Sequence, residues 1–550
     1  MFEIVHKDLA GRIGKLYTKS GIIETPAIFP VVNPVKQTLP LSEIREVGFK
    51  QIITNAYLIR KHYGETVREV TIHSVLSWDG IIMTDSGAYQ LMEYGHVEVD
   101  PIEILQYQVE IGSDIGVILD IPTRGYSPYE QVLIEVEETL RRARQAVTMI
   151  ETIDPERRML LVGPIQGGTY LDLLEYCARE ISKLDFDIYA IGSVTALLEQ
   201  YEFRSIIDMI ITVKRVLPPG KPVHLFGAGH PLIIPIAVAL GVDLFDSASY
   251  ILYARDDRVM LPDRTIRLDE VKSDYIPCTC PICRKYSVKE LLEMPKHERE
   301  PLIAKHNLYI LEREIEEVKL RIREGTLWEY LQEKAHANPR VLEALLELEK
   351  YADVLQKLTP ATRGEIRGIS VYLYETDRIR PHYRLHVSRI VKNYEPPPDK
   401  KILLVLPEYS FDRPSNRSTH FTSICLKLLR EDLFKHVHIC FFSPVFGIVP
   451  HEVADVYPLA QYEYVRNLRG LSKLGVDAAA EYIKHHVEKY SAVILALPEE
   501  YSSLLEDVIR QVKPDIKIVR VKVEDYIDVV RSSDLICSMV RLLVSSAPPQ

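Results

Sequence analysis

Over the first 250 residues, short apolar runs alternate with longer stretches whose apolar residues recur at helical spacing. The runs at 51–54, 80–83, 115–119, 159–165, 188–191, 222–226 and 242–245 are apolar along most of their length, as strands covered on both faces are. Between them, 101–111, 127–150, 170–184, 203–216 and 231–240 read as amphipathic helices, the last opening on Pro231 directly after a Gly-Ala-Gly-His turn. Repeated strand–helix units predict a parallel sheet sheathed by helices. Seven or eight units in roughly 250 residues fit an α/β (β/α)8 TIM barrel better than an open sheet, and the barrel is assigned to residues 1–270. Residues 271–360 read as a cysteine-bearing, Pro-interrupted segment, then a charged helix over 306–324 and further helix to about 358, completing the catalytic domain. Residues 361–398 read as a basic connector ending in the stiff linker Pro396-Pro397-Pro398. Beyond it, KILLVLPEY, VHICFFSPVF, SAVILALP and IKIVRVKVE predict the strands of a smaller C-terminal α/β domain over 399–550.

Polar residues fall at one end of the predicted barrel strands. The strands release Asp85-Ser86-Gly87, Asp120, Gln166-Gly167-Gly168, Gly192-Ser193, Gly227-Ala228-Gly229-His230 and Asp246-Ser247. A single Asp after a strand is most simply a helix cap. Three carboxylates, a Gln and Gly-rich turns at one rim suggest an active site, because barrel enzymes collect their chemistry at the C-terminal strand ends. There is no P-loop and no dinucleotide fingerprint. Paired carboxylates without a His triad suit nucleophilic and acid/base work at an acetal-like carbon. Asp with Gln offers the acceptors and donors that the edge of a purine-like base requires. This reading reaches glycosyl chemistry on a nucleoside-like substrate.

Composition bounds the partners. With 67 Lys plus Arg against 78 Asp plus Glu, the net charge of −11 excludes a generally basic coat for nucleic acid, although a local basic patch stays possible. No apolar run is long enough to span a bilayer, and the start MFEIVHKDLAGRIGK lacks a signal-peptide core, so a cytoplasmic location is expected. Seven cysteines do not make a disulfide framework. Cys278, Cys280 and Cys283 lie within six residues and, with a histidine from the next helix, are expected to make a tetrahedral Cys3His zinc set of the closed, structural kind. His306 and His297 are both within reach.

MTDSGAYQLMEYG, DIPTRGYSP, PIQGGTY, AIGSV, HLFGAGHP, GVDLFDSASYILYARD and CTCPICRKY together resemble the archaeal tRNA-guanine(15) transglycosylases over about residues 1–360. The resemblance implies a (β/α)8 enzyme that exchanges guanine in the tRNA D-arm for 7-cyano-7-deazaguanine (preQ0), towards archaeosine. It implies Asp246 as nucleophile on C1′ of the ribose, Asp85 as general acid/base, and Ser86, Tyr89, Asp120, Gln166 and Gly192 around the base. Tyr89 stands where the family often has Phe, and Ser193 where Gly or Ala is expected. The resemblance also implies Cys278, Cys280, Cys283 and His306 as ligands of one structural zinc ion, and homodimers are common in the family.

The C-terminal part departs from the family tail. No PUA domain is evident, which leaves a separately encoded RNA-binding partner open. Residues 399–550 weakly resemble the α/β domain of archaeosine-synthase paralogues, but LPEYSFDRPSNRS carries Glu408 where those have a Cys. Arg378, Arg380, Arg384, Arg389 and Lys392, interleaved with His382 and Tyr383, are expected to contact tRNA phosphates and bases. An archaeosine-synthase-like paralogue and a non-catalytic tRNA-binding subunit are the alternatives. Retention of both Asp85 and Asp246 speaks against each.

Overall fold

The computed structural model describes residues 1–88, 100–124, 126–360, 370–465 and 469–546, in two units, Met1–Pro360 and Ala361–Gln550. The first unit begins with a three-stranded antiparallel sheet, β1 (Phe2–Asp8), β2 (Gly11–Thr18) and β3 (Gly21–Thr25). Eight barrel strands follow: β4 (Ala27–Pro30), β5 (Gln51–Asn55), β6 (Ile81–Asp85), β7 (Ile115–Val117), β8 (Leu160–Ile165), β9 (Ile188–Ile191), β10 (Val223–Leu225) and β11 (Leu244–Ser247). Their order is β4-β11-β10-β9-β8-β7-β6-β5. A parallel bridge between Val31 and Ile53 closes the ring, with the Val32 N–H donating to the Ile53 carbonyl at 2.8 Å.

The barrel interior is filled by Phe29, Ile53, Met83, Ile115, Val117, Val162, Ala190 and their neighbours. Leu16 and Ile23 join this core against Ala27, Ile81, Ile188 and Leu244, which stand at or near the starts of their strands. The N-terminal sheet therefore stops the mouth opposite the polar rim. The strands carry no polar alternation because helices such as Pro101–Glu110, Tyr129–Ile153, Leu171–Ser182 and Phe203–Lys214 bury their outer faces as well. Asp100 caps the first of these, accepting from the Ile102 N–H at 2.8 Å with Pro101 in the first turn.

The apolar pattern places no strand before residue 51, where the β1–β3 sheet and the eighth barrel strand, β4, lie, since β4 has four residues with prolines at its border and its end. Two boundaries are corrected. The helix expected over 231–240 begins only at Ile234, because His230 builds a turn first, its Nδ1 accepting from the Leu232 N–H at 3.2 Å. The strand expected over 115–119 stops at Val117.

Charged residues at the closed mouth set strand register. Asp243, just before β11, holds Arg12 of β2 through two contacts of 2.6 and 2.7 Å and accepts from the Val223 N–H at 2.8 Å. Beyond the barrel, β12 (Arg258–Met260) and β13 (Thr265–Arg267) form a hairpin, and the long helix Lys296–Glu324 packs against the barrel. Asn307 on that helix donates to the carbonyls of Tyr250 and Arg258 and accepts from the Met260 N–H at 2.7 Å.

The second unit contains β14 (Ser370–Tyr372), β15 (Ile402–Pro407), β16 (Val437–Ser443), β17 (Gly447–Pro450), β18 (Tyr462–Tyr464), β19 (Ala492–Leu495) and β20 (Lys517–Arg520). Its main sheet has the order β17-β16-β15-β19-β20, parallel except for β17, and β14 pairs with β18. Of the basic connector expected over 361–398, residues 361–369 lie outside the described residues, and residues 370–398 are instead built into this unit. Tyr372, Tyr383, Ile390 and Val391 belong to the core of this unit, and the Tyr383 hydroxyl donates to the Leu474 carbonyl at 3.1 Å.

Candidate active site and metal centre

Because all eight barrel strands run parallel, their C-terminal ends meet at one rim. Asp246 lies in β11, beside β10. Its Oδ1 accepts two donors, the Gly227 N–H at 2.9 Å and His224 Nε2 at 2.9 Å, while its side chain is 13% exposed. Oδ2 has no hydrogen-bond partner among the described residues. Asp85 ends β6, and Asn55 at the end of β5 donates to its Oδ2 at 3.2 Å. Burial, then the negative charges of Asp120 and Asp246, push Asp85 up to about 7, against the pull of the Gly87 and Ser86 N–H groups. A carboxyl poised there can hold or release a proton near neutral pH.

A second polar group lies across the rim. Gln166 Nε2 donates to Asp120 Oδ2 at 2.6 Å, and Gln166 Oε1 accepts the Ser193 hydroxyl at 2.6 Å. Burial raises Asp120 to about 6 despite the Gln166 donor. A Cβ at Gly192 would stand 2.4 Å from Gln166 Nε2, so a larger residue there would push the amide away from Asp120. Ser193 adopts φ +66°, a region that L residues other than Asn and Asp rarely enter, and that conformation goes with its hydroxyl reaching the amide. The buried Ser86 hydroxyl donates to the Ile118 carbonyl at 3.1 Å. Tyr89 lies outside the described residues. Sequence reasoning passed over Asn55 and His224; His224 is marked as a lone polar residue in the apolar run Val-His-Leu-Phe, whereas Asn55 follows Thr54 at the end of its strand and carries no such mark.

Cys278, Cys280, Cys283 and His306 come together with one ligand atom from each within 4.8 Å of the others. His306 Nδ1 lies 3.4 Å from Cys280 Sγ and 3.3 Å from Cys283 Sγ. A tetrahedral ion with sulfur and nitrogen ligands separates such atoms by about 3.5 Å, so the set fits a metal. His306 Nε2 donates to the Met260 carbonyl at 2.9 Å, which turns the bare Nδ1 towards the thiols. His297, the alternative ligand, is exposed beside Glu298. Four protein ligands leave no open position, so such an ion would fasten the 278–283 loop to the long helix.

The basic stretch is arranged differently from expectation. Arg380 is fully buried, stacked 4.8 Å over the Tyr372 ring and donating to the Val371 carbonyl at 3.0 Å, so it cannot meet a phosphate. His382 and Tyr383 are buried too and offer no stacking face. Arg378 pairs with Glu375 at 3.2 Å and remains partly exposed, as do Arg384 and Arg389, while Lys392 is exposed. Among the described residues, no helix is long and apolar enough to cross a membrane.

Residues 8–340 match the family model described as queuine tRNA-ribosyltransferase, and residues 384–529 match a domain of unknown function (DUF5591). A Pyrobaculum aerophilum protein named tRNA-guanine(15) transglycosylase is 54% identical over 462 residues, covering 84% of this chain and 90% of its own length. Proteins of the same name from Sulfolobus acidocaldarius and Methanocaldococcus jannaschii are 43% and 40% identical, covering 84% and 88% of this chain and 88% and 72% of themselves. With its carboxylate-lined barrel rim and Cys3His cluster, the chain belongs to the tRNA-guanine transglycosylase family.

Proposed function

We propose that this chain exchanges guanine 15 of tRNA for preQ0, the first step of archaeosine biosynthesis, through a covalent aspartyl-ribosyl intermediate. The names of its relatives support the tRNA and the guanine. The observation that carries the mechanism is the pair at the rim, an Asp246 with one oxygen tethered and the other without a partner among the described residues, and an Asp85 raised to about 7 in part by the charge of Asp246.

In the first half-reaction, Asp246 Oδ2 attacks C1′ of the ribose. The bond from C1′ to N9 of guanine breaks, and Asp85 supplies the proton the departing purine needs. In the second, Asp85 takes the proton from N9 of the incoming deazaguanine. N9 then attacks C1′ and expels Asp246 as carboxylate. Atoms and charge balance over the cycle with no nucleotide hydrolysis and no redox step. Asp120, the Gln166 amide, Ser86 and the Gly192 backbone would read the base, with Tyr89 stacked upon it. Exchange in place of hydrolysis requires that water be kept from the intermediate.

The ion in the Cys3His set is proposed to be a single structural Zn2+. Arg378, Arg384, Arg389 and Lys392 would meet tRNA phosphates. A cytoplasmic setting, a homodimer and a separately encoded RNA-binding partner complete the reading.

Radiolabelled guanine incorporation into unmodified tRNA, with and without preQ0, tests this function. Asp246→Ala is expected to abolish incorporation and the covalent tRNA adduct on a denaturing gel, with the melting curve preserved. Undiminished exchange in that variant would sink the mechanism. An archaeosine-synthase-like enzyme would instead incorporate no guanine and alter preQ0 already in tRNA.

A further inference from the structure

The contact that positions Asp246 has a second side. His224 stands on β10, in register with Leu244 of β11, with its side chain wholly inside the barrel. Its ring lies 6.0 Å from Phe29, stacked at 22°, and 4.7 Å from Phe226, tilted at 48°, so two aromatic rings hold its plane. Nε2 is 2.9 Å from Asp246 Oδ1. Nδ1 is buried with no partner among the described residues.

These facts decide the tautomer. A proton on Nδ1 would bury a donor with no acceptor and aim the bare Nε2 lone pair at a carboxylate oxygen. A proton on Nε2 makes a charge-assisted hydrogen bond to Asp246. Resting on the function proposed above, we infer that His224 is a positioning residue for the nucleophile, donating through Nε2–H to Asp246 Oδ1 in both halves of the exchange.

Two donors, His224 and the Gly227 N–H, converge on the same oxygen. Before attack they hold negative charge on Oδ1 and turn Oδ2 to the ribose. In the ester, Oδ1 is the carbonyl oxygen, and the same donors lie where charge must return when the carboxylate leaves. Donors placed where charge develops are worth roughly 100-fold or more in rate. Their larger effect is therefore expected on breakdown of the ester rather than on its formation. The aromatic walls keep water from competing for the same donor.

His224→Gln and His224→Asn separate this role from simple packing. The Gln amide nitrogen reaches to where Nε2 stands, whereas the Asn nitrogen reaches only to the position of Nδ1. His224→Asn is expected to lose roughly 100-fold in kcat, with little change in KM for tRNA and a larger fraction of enzyme trapped as the tRNA adduct. His224→Gln should recover most of that loss. Equal rates in the two variants, or a slow variant with no excess adduct, would overturn the inference. Asp246→Ala, assayed alongside, keeps the two readings apart. If it retains exchange, the covalent mechanism fails; if it is dead while both His224 variants match wild type, only the role of His224 fails.

Discussion

At the scale of single residues, the site keeps groups in states that the fold itself disfavours. Asp85 is the clearest case, moved from its ordinary 3.8 to about 7, chiefly by burial. The folded state therefore binds this proton more tightly than the unfolded chain does. Its contribution to stability is fully present below pH 4 and is lost as pH rises through 7. Asp85→Asn removes that loss. It is expected to melt higher than wild type at pH 8, by on the order of 1–2 kcal/mol, since a pKa unit is about 1.4 kcal/mol and a carboxyl at the pocket edge realises only part of its shift. Melting curves from pH 4 to 8 should show the two proteins converge at the acid end, with the variant inactive throughout. Ser193 carries a smaller cost in its φ of +66°. Ser193→Gly should relieve about 1 kcal/mol of backbone strain while freeing the Gln166 amide that the hydroxyl holds. The expected result is a protein slightly more stable in thermal melts, with KM for the incoming base raised roughly tenfold by loss of that hydrogen bond.

Among elements, what was legible in the sequence and what was not divides on physical grounds. Seven barrel strands could be read from apolar runs, because strands buried on both faces need no polar alternation, and β9 falls at the expected residues. β4 was missed because four residues ending in proline are too short to set a period. Asp85, Asp120, Gln166 and Asp246 were legible as a rim because parallel topology converts position along a strand into position in space. His224 shows in the sequence only as a lone polar residue inside an apolar run, and its role emerges once parallel pairing brings it beside Asp246. The Cys3His cluster was legible from thiol spacing, and the choice of His306 over His297 turns on the helix face that meets the loop. Elemental analysis of the whole chain is expected to find about one equivalent of zinc, lost in Cys280→Ser. Because metal binding to such a set is folding free energy, its removal should destabilise the first unit, by as much as about 10 kcal/mol where the fold around the loop depends on the ion, read as a lower melting temperature. Exchange by metal-depleted protein, assayed well below that temperature, should persist. An immediate loss of activity without a melting shift would instead mark the ion as a participant in the chemistry.

For the whole molecule, moving the domain boundary changes where charge resides. With the second unit beginning at 361, it carries 26 Lys plus Arg against 24 Asp plus Glu, a net of +2. The first unit, which holds the candidate active site, is left with −13. A polyanion is then repelled on average by the unit that carries the chemistry and must be held by local contacts. The buried Arg380 has no part in that grip, but Arg378, Arg389 and Lys392 keep solvent access. Each phosphate contact releases a condensed counterion, so log K should fall with log salt by about 0.7–0.9 per contact. Replacing Arg378, Arg389 and Lys392 by Ala together is expected to weaken tRNA binding by the full chain and to flatten that slope by about 2 to 3. Arg380→Ala should act differently, leaving Tyr372 without its stacked cation and lowering the melting temperature of the second unit. Filter binding across a salt series reads both. An unchanged slope in the triple variant would move the RNA-binding surface away from this segment, and a slope change in Arg380→Ala without a melting shift would show that its guanidinium reaches phosphate after all.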